Sequence, residues 1–205
     1  ALSDLAAKRL VVLEHLADAR RLFFQKATYD VDLATFDRAF PGQKEVDRSS
    51  AIGQYAVIFK SHPTTAWLKE IEEAGLIPVE PLPAMGYLVY GPRGALEKLA
   101  VKAPHIQGMV DIPAGLKRFN LDVVLAGDND EAAPTSVSVV DVGDSLAQRF
   151  LEEATSGKIA VAMKMGVLVT YSVRLTREQS IVASRFPEVV AVRRNTRRWE
   201  PADER

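Results

Sequence analysis

From residue 55 onward, short runs of β-formers alternate with amphipathic stretches at helical spacing, in a fixed order. Tyr55-Ala-Val-Ile-Phe59 is dense in β-branched and aromatic residues and predicts a strand. Residues 64–74 predict a helix: Thr64 or Thr65 offers a capping hydroxyl, Trp67, Leu68 and Ile71 are its apolar positions, and Gly75 stands where a helix stops. Leu76 to Val79, Tyr87 to Tyr90 and Ile106 to Val110 predict three further strands. A short helix over 94–101, with Leu96 and Leu99 inward, falls before the last of them. The order β-α-β-β-α-β is that of the ferredoxin-like, or split βαβ, unit.

The same order then returns. Ser136 to Val142 predicts a strand, Asp144 to Ser156 a helix stopped by Gly157, and Ile159 to Met163 and Val167 to Val173 two strands. Thr176 to Phe186 predicts a helix with Thr176 as N-cap, and Val189 to Val192 closes the unit. Landmarks recur in step: Glu72-Glu73-Ala-Gly75 against Glu152-Glu153-Ala154 leading to Gly157, Met85-Gly86 against Met165-Gly166, and Pro104 against Pro187. Ahead of both, Ser3 as cap and a stripe of Leu5, Val12, Leu16 and Phe23 predict a helix over the first 27 residues. Glu14 and Asp18 interrupt its apolar run, so it is no intact signal peptide. The expected class is α+β: two tandem ferredoxin-like βαββαβ units preceded by an N-terminal helix. Residues 1–50 hold that helix and a connecting segment, 51–127 unit 1, 128–134 a polar linker, 135–195 unit 2, and 196–205 a C-terminal tail.

Composition narrows the chemistry. The 205 residues include no cysteine, which excludes disulfides, thiol catalysis and thiolate metal sites, and only three histidines, so a His-rich metal centre is not expected. No stretch approaches the roughly 18 consecutive apolar residues of a membrane span. The net charge of −1 gives no general attraction to nucleic acid; the one basic concentration is Arg193, Arg194, Arg197 and Arg198. Val139-Val140-Asp141-Val142-Gly143 resembles a strand presenting a catalytic aspartate, but a triad needs a base and a nucleophile as well, and neither segment is present. Asp141 therefore reads as a turn residue. The pairs Glu72-Glu73 and Glu152-Glu153 diverge around their helices by about 100° and form no facing acid–base couple. Tyr87 and Tyr90 are three apart, so they face opposite ways and do not make an RNA-stacking platform. Neither catalysis nor a metal, a cofactor or nucleic acid is expected.

One physical feature points to a protein partner. Tyr55, Val57 and Phe59 alternate with Ala56 and Ile58, and Tyr87 and Val89 with Leu88 and Tyr90, so this sheet is apolar on both faces and calls for a second layer: the other repeat, the N-terminal helix or a partner protein. Tyr55, Val57, Phe59, Tyr87 and Tyr90 are the expected docking positions.

The repeats resemble the tandem propeptide region of bacterial subtilisin-like serine proteases, of the fervidolysin-like kind. The residues carrying the likeness are Tyr55-Ala-Val-Ile-Phe-Lys60, Trp67-Leu68 with Ala74-Gly75, Tyr87-Leu-Val89, and Pro104 to Pro113 running on to Leu116-Lys117. Phe186-Pro-Glu-Val-Val-Ala-Val192 carries it for the second unit, and the likeness spans about residues 55–195. It implies a secreted or extracytoplasmic protein that assists folding of a subtilisin-like catalytic domain and then inhibits it, without a cofactor. An open sheet face docks on the enzyme, and the tail lies in the cleft like a product. Asn195, Thr196, Arg197, Arg198 and Trp199 are then the cleft residues, and Arg205 the cleaved terminus. A non-catalytic regulatory module binding a small ligand is the alternative.

Overall fold

The computed structural model describes residues 21–24, 27–30, 51–82, 85–119 and 131–195. The chain divides into two compact units, Ala1–Pro113 and Ala114–Arg205. The first described element is a pair of antiparallel strands, β1 (Arg21–Phe24) and β2 (Ala27–Asp30), with Phe24 opposite Ala27. This corrects the helix expected through residue 27. Phe23 fits the helical stripe by spacing, but Phe23, Phe24, Thr28 and Tyr29 are a dense set of strand formers, and local preference outweighs the stripe there. The remainder of that helix lies outside the described residues.

Unit 1 follows the predicted order. Strands β3 (Ile52–Phe59), β4 (Ile77–Leu82), β5 (Gly86–Pro92) and β6 (Ile106–Asp111) form an antiparallel sheet in the order β4-β5-β3-β6, and helices α1 (Thr65–Glu73) and α2 (Arg93–Lys102) fill the connections. Thr64 caps α1 by accepting the Trp67 N–H at 3.3 Å. The helix ends in a Schellman pair: Leu76 N–H bonds to the Ile71 carbonyl at 3.1 Å and Gly75 N–H to that of Glu72 at 2.9 Å. Gly75 at φ +87° supplies the left-handed residue this ending requires. The core between sheet and helices is Tyr55, Val57, Phe59, Ile71, Leu76, Val89, Leu96, Leu99 and Ala103. Trp67 stacks on His105 at 4.4 Å between ring centres and on Phe59 at 5.6 Å, roofing one end.

Unit 2 repeats the order with one addition. Strands β8 (Ala133–Val140), β9 (Ala160–Met165), β10 (Leu168–Leu175) and β11 (Val189–Arg194) lie as β11-β8-β10-β9, with α3 (Leu146–Ala154) and α4 (Arg177–Ala183) between them. The short strand β7 (Arg118–Phe119) adds to β11 in parallel, making five strands. Thr176 forms a full capping box with Gln179, and Ser145 caps α3 through the Gln148 N–H. The core is Val137, Val139, Ala147, Leu151, Val169, Tyr171, Val173, Leu175, Ala183, Val189 and Val192.

The unit boundary falls at Pro113/Ala114 rather than in 128–134. The reason is side-chain anchoring of residues 114–119. Lys117 Nζ donates to the Phe186 carbonyl at 3.1 Å, Arg118 Nε donates to Ser184 Oγ at 2.7 Å, and β7 pairs with β11. Strand β8 begins at Ala133, within the stretch expected as linker.

Candidate protein-docking site

The expected docking residues of unit 1 do not form one surface. Cross-strand partners share a face, and the register puts Tyr55 opposite Val89 and Val57 opposite Tyr87. Tyr55, Val57 and Phe59 are core beneath the helices, and Tyr87 packs half-buried against them. Tyr90, opposite Gln54 and Ile77, lies on the other face. That far face carries Ala56, Ile58, Leu88, Tyr90 and Val110, and each of these is buried too. Glu80, opposite Leu88, has its carboxyl pushed up by burial. A strand apolar on both sides does not declare by alternation which side takes the helices, and here neither side is left free.

Unit 2 separates its two faces cleanly. Along β8 and β10, Thr135, Val137, Val139, Val169, Tyr171, Val173 and Leu175 are buried, while Ser136, Ser138 and Thr170 are half-buried and Ser172 and Arg174 exposed. Ser138 and Thr170 are cross-strand partners whose hydroxyls bond at 2.9 Å, so the middle of the far face is a satisfied polar row. One corner is apolar. Leu168 and Val140 are partners and buried, and beside Leu168 on the edge strand stand Met165 and Met163, 61% and 52% exposed. Every residue of β9 is exposed. Its one charge, Lys164, is turned to the opposite face, where Nζ donates to Asp141 Oδ2 at 2.7 Å. Asp141 also accepts the Gly143 N–H at 3.4 Å, and the lysine bond first, then that backbone bond, holds its carboxyl below the usual range. Asp141 is thus the turn residue the sequence predicted, tied to a lysine.

The unit's last strand sets where the chain leaves it. Arg193 is opposite Ser136 and Arg194 opposite Thr135, so both belong to β11 and not to a tail. Asn195 ends the strand: its N–H donates to the Pro134 carbonyl at 2.9 Å and its side chain, exposed, approaches Ser136 Oγ at 3.5 Å. Of the expected cleft residues only Asn195 is described; Thr196, Arg197, Arg198, Trp199 and Arg205 lie outside the described residues.

Sequence reasoning missed one interior group. Lys117 is almost fully buried, and burial pushes its amine down to about 7 against a partial offset from Glu188. Glu188 is buried as well, its carboxylate accepting the Ala147 N–H at 3.0 Å and the Ser145 hydroxyl at 3.2 Å at the start of α3. Lys117 falls in the span that the sequence assigns to unit 1, and nothing in its local sequence announces a partner 69 residues away.

Among the described residues no group of His, Asp or Glu is arranged to hold a metal ion, and no helix is long and apolar enough to cross a membrane. No family model matches the chain, and no curated protein or solved structure matches it.

Proposed function

We propose that this chain is the propeptide of a secreted or extracytoplasmic subtilisin-like serine protease, acting as folding chaperone and inhibitor of the catalytic domain. The observation that carries the reading is in unit 2: a sheet with one face packed under helices and the other half-buried to exposed except at Leu168 and Val140, whose last strand leads straight into the arginine-bearing tail. In this reading the Ser/Thr row and the Met163–Met165 corner dock on the enzyme, and residues from Asn195 onward enter its cleft. The docking surface thereby moves from unit 1, where the apolar faces are buried, to unit 2. Such an interface combines a polar, hydrogen-bonding middle with an apolar margin. Occupying the cleft with a peptide in product-like orientation blocks substrate without any chemistry by the inhibitor.

The test is inhibition of a mature subtilisin-like protease from the same source by the full chain, followed by peptide hydrolysis. Saturable inhibition in the nanomolar to micromolar range supports the reading. A chain ending at Asn195 keeps β11 whole, and its inhibition is expected to weaken by roughly tenfold or more, since tail contacts of about 1.4 kcal/mol correspond to a factor of ten. Equal inhibition by the shortened chain removes the tail from the mechanism. Digestion without inhibition removes the proposal.

A further inference from the structure

We propose that Met163 and Met165 are an oxidation site on the docking face, at which conversion to the sulfoxides by a peroxide releases the inhibitor from its protease. The inference rests on the docking reading above. The chain holds four methionines, at 85, 109, 163 and 165. Met85 is half-buried beside β5, and Met109 is half-buried against the core of unit 1. Met163 and Met165 stand on the regular part of β9, beyond the irregularity in its pairing with β10, opposite Thr170 and Leu168. Their side chains therefore share the far face, and both are more than half exposed. Two exposed thioethers two positions apart on an edge strand are reached by a small oxidant from bulk solvent without any opening of the fold.

The chemistry is a two-electron transfer. A sulfur lone pair attacks one peroxide oxygen, the O–O bond breaks as the S–O bond forms, and the departing hydroxide takes up the peroxide's remaining proton to leave as water. Sulfur is oxidised to the sulfoxide and the peroxide reduced. An apolar, adaptable side chain becomes one carrying a strong dipole with acceptor oxygen and no donor. In the free chain that oxygen is hydrated. In a docked interface it loses its water, and the apolar corner formed with Leu168 offers it no donor, so the bound state alone is penalised. The fold of unit 2 does not depend on either residue, because neither belongs to its core. Thiol-dependent sulfoxide reductases reverse the change.

The experiment treats the full chain with limiting hydrogen peroxide and reads three things: oxygen incorporation by peptide mass mapping, circular dichroism, and inhibition of the protease. Met163 and Met165 are expected to oxidise roughly fivefold or more faster than Met109, as exposure governs the rate. The spectrum stays unchanged, and inhibition by the oxidised chain weakens about tenfold, as expected for one unpaired polar group in an interface. The double variant Met163→Leu, Met165→Leu serves as its own reference: the inhibition it shows before peroxide, whatever its level, is unchanged after peroxide. Equal oxidation of Met109, or full inhibition by the oxidised chain, overturns the inference. If the untreated chain does not inhibit at all, the docking reading fails and the release fails with it; the peptide map still decides whether these are the oxidation-prone methionines.

Discussion

The two units share strand order and helix placement but differ on the side of the sheet away from the helices. Unit 1 has Ala56, Ile58, Leu88, Tyr90 and Val110 there, all buried; unit 2 has Ser136, Ser138, Thr170 and Ser172, half-buried or exposed. On the helix side they agree closely: Ile71 and Leu151, both fully buried, anchor the first helix of each unit. The fold is therefore specified by one face of each sheet, and the other face is free to diverge. In unit 1 it is buried; in unit 2 it is polar with one apolar corner. The helix-side core is what the two units share, and the far face is where they differ.

Placing a charge on each far face tests that contrast most severely. Ile58→Asp puts a carboxylate where the side chain is 2% exposed, with no cation beside it among its strand neighbours Gly86 and Gly108. The expected loss is about 3 kcal/mol or more, enough to unfold unit 1 under mild conditions. Ser172→Asp, on the exposed face of β10, is expected to cost less than about 0.5 kcal/mol. Urea titration followed by Trp67 fluorescence for unit 1 and by circular dichroism for the whole chain separates the two transitions. Equal tolerance at both sites would mean that the far faces do not differ as described.

The interior of unit 2 has a contrast of its own, because its one buried amine is exposed to titration. Unfolded, Lys117 titrates near 10.5; folded, near 7. Between those values the unfolded chain holds the proton and the folded chain does not, so unit 2 gains stability as pH rises through that window. The cost of the buried ammonium is fully present below it. The slope is at most about 1.4 kcal/mol per pH unit for one proton. Lys117→Met is expected to flatten the dependence. At neutral pH it removes the cost of the buried amine, but also the donor to the Phe186 carbonyl, about 1 kcal/mol, and the cation that partly offsets buried Glu188, so the net change in unit 2 is expected to stay within about 2 kcal/mol. Denaturation of parent and variant between about pH 7 and pH 10 reads both effects; an unchanged pH slope in the variant would assign the dependence to another group.

The element order was legible because helix caps and stops are local chemistry. Thr64, Gly75 and Thr176 each perform the role their sequence context predicts, and nine-residue α1 and α3 fall within the predicted spans. Even the Met-Gly landmark holds with a difference: Met85 itself takes positive φ before β5, whereas in unit 2 the positive φ falls on Gly166. What the sequence concealed was decided by distant contacts. The anchoring of 114–119 to unit 2 depends on Ser184 and Phe186, far along the chain, so a polar stretch at 128–134 looked like the boundary. The two faces of unit 1 were not legible because Tyr55-Ala-Val-Ile-Phe59 is apolar in both phases, and period-2 alternation is informative only where one phase is polar. Strand β8, with serine in one phase and valine in the other, declared its faces openly.

The smallest effect concerns a flaw on the conserved side of the comparison. Tyr55 sits at the sheet end of unit 1's core with its hydroxyl buried and without a hydrogen-bond partner, and burial, ahead of its charged neighbours, pushes the phenol up. Arg93 lies over the ring at 5.5 Å, but its guanidinium is committed to Asp111 at 2.5 Å. The ring serves packing and the cation; the oxygen serves neither. Tyr55→Phe retains ring, volume and cation–π contact while removing a desolvated hydroxyl, so it is expected to be neutral or stabilising by up to about 1 kcal/mol. The tyrosine of unit 2's core gives the control: Tyr171 donates to Gln148 Oε1 at 3.1 Å, so Tyr171→Phe is expected to cost about 1 kcal/mol instead. The two substitutions are chemically identical, and opposite signs in the same denaturation experiment would show that the hydroxyl's partner, and not the ring's burial, decides the outcome. A loss at Tyr55 equal to that at Tyr171 would mean that the Tyr55 hydroxyl has found a partner in solution.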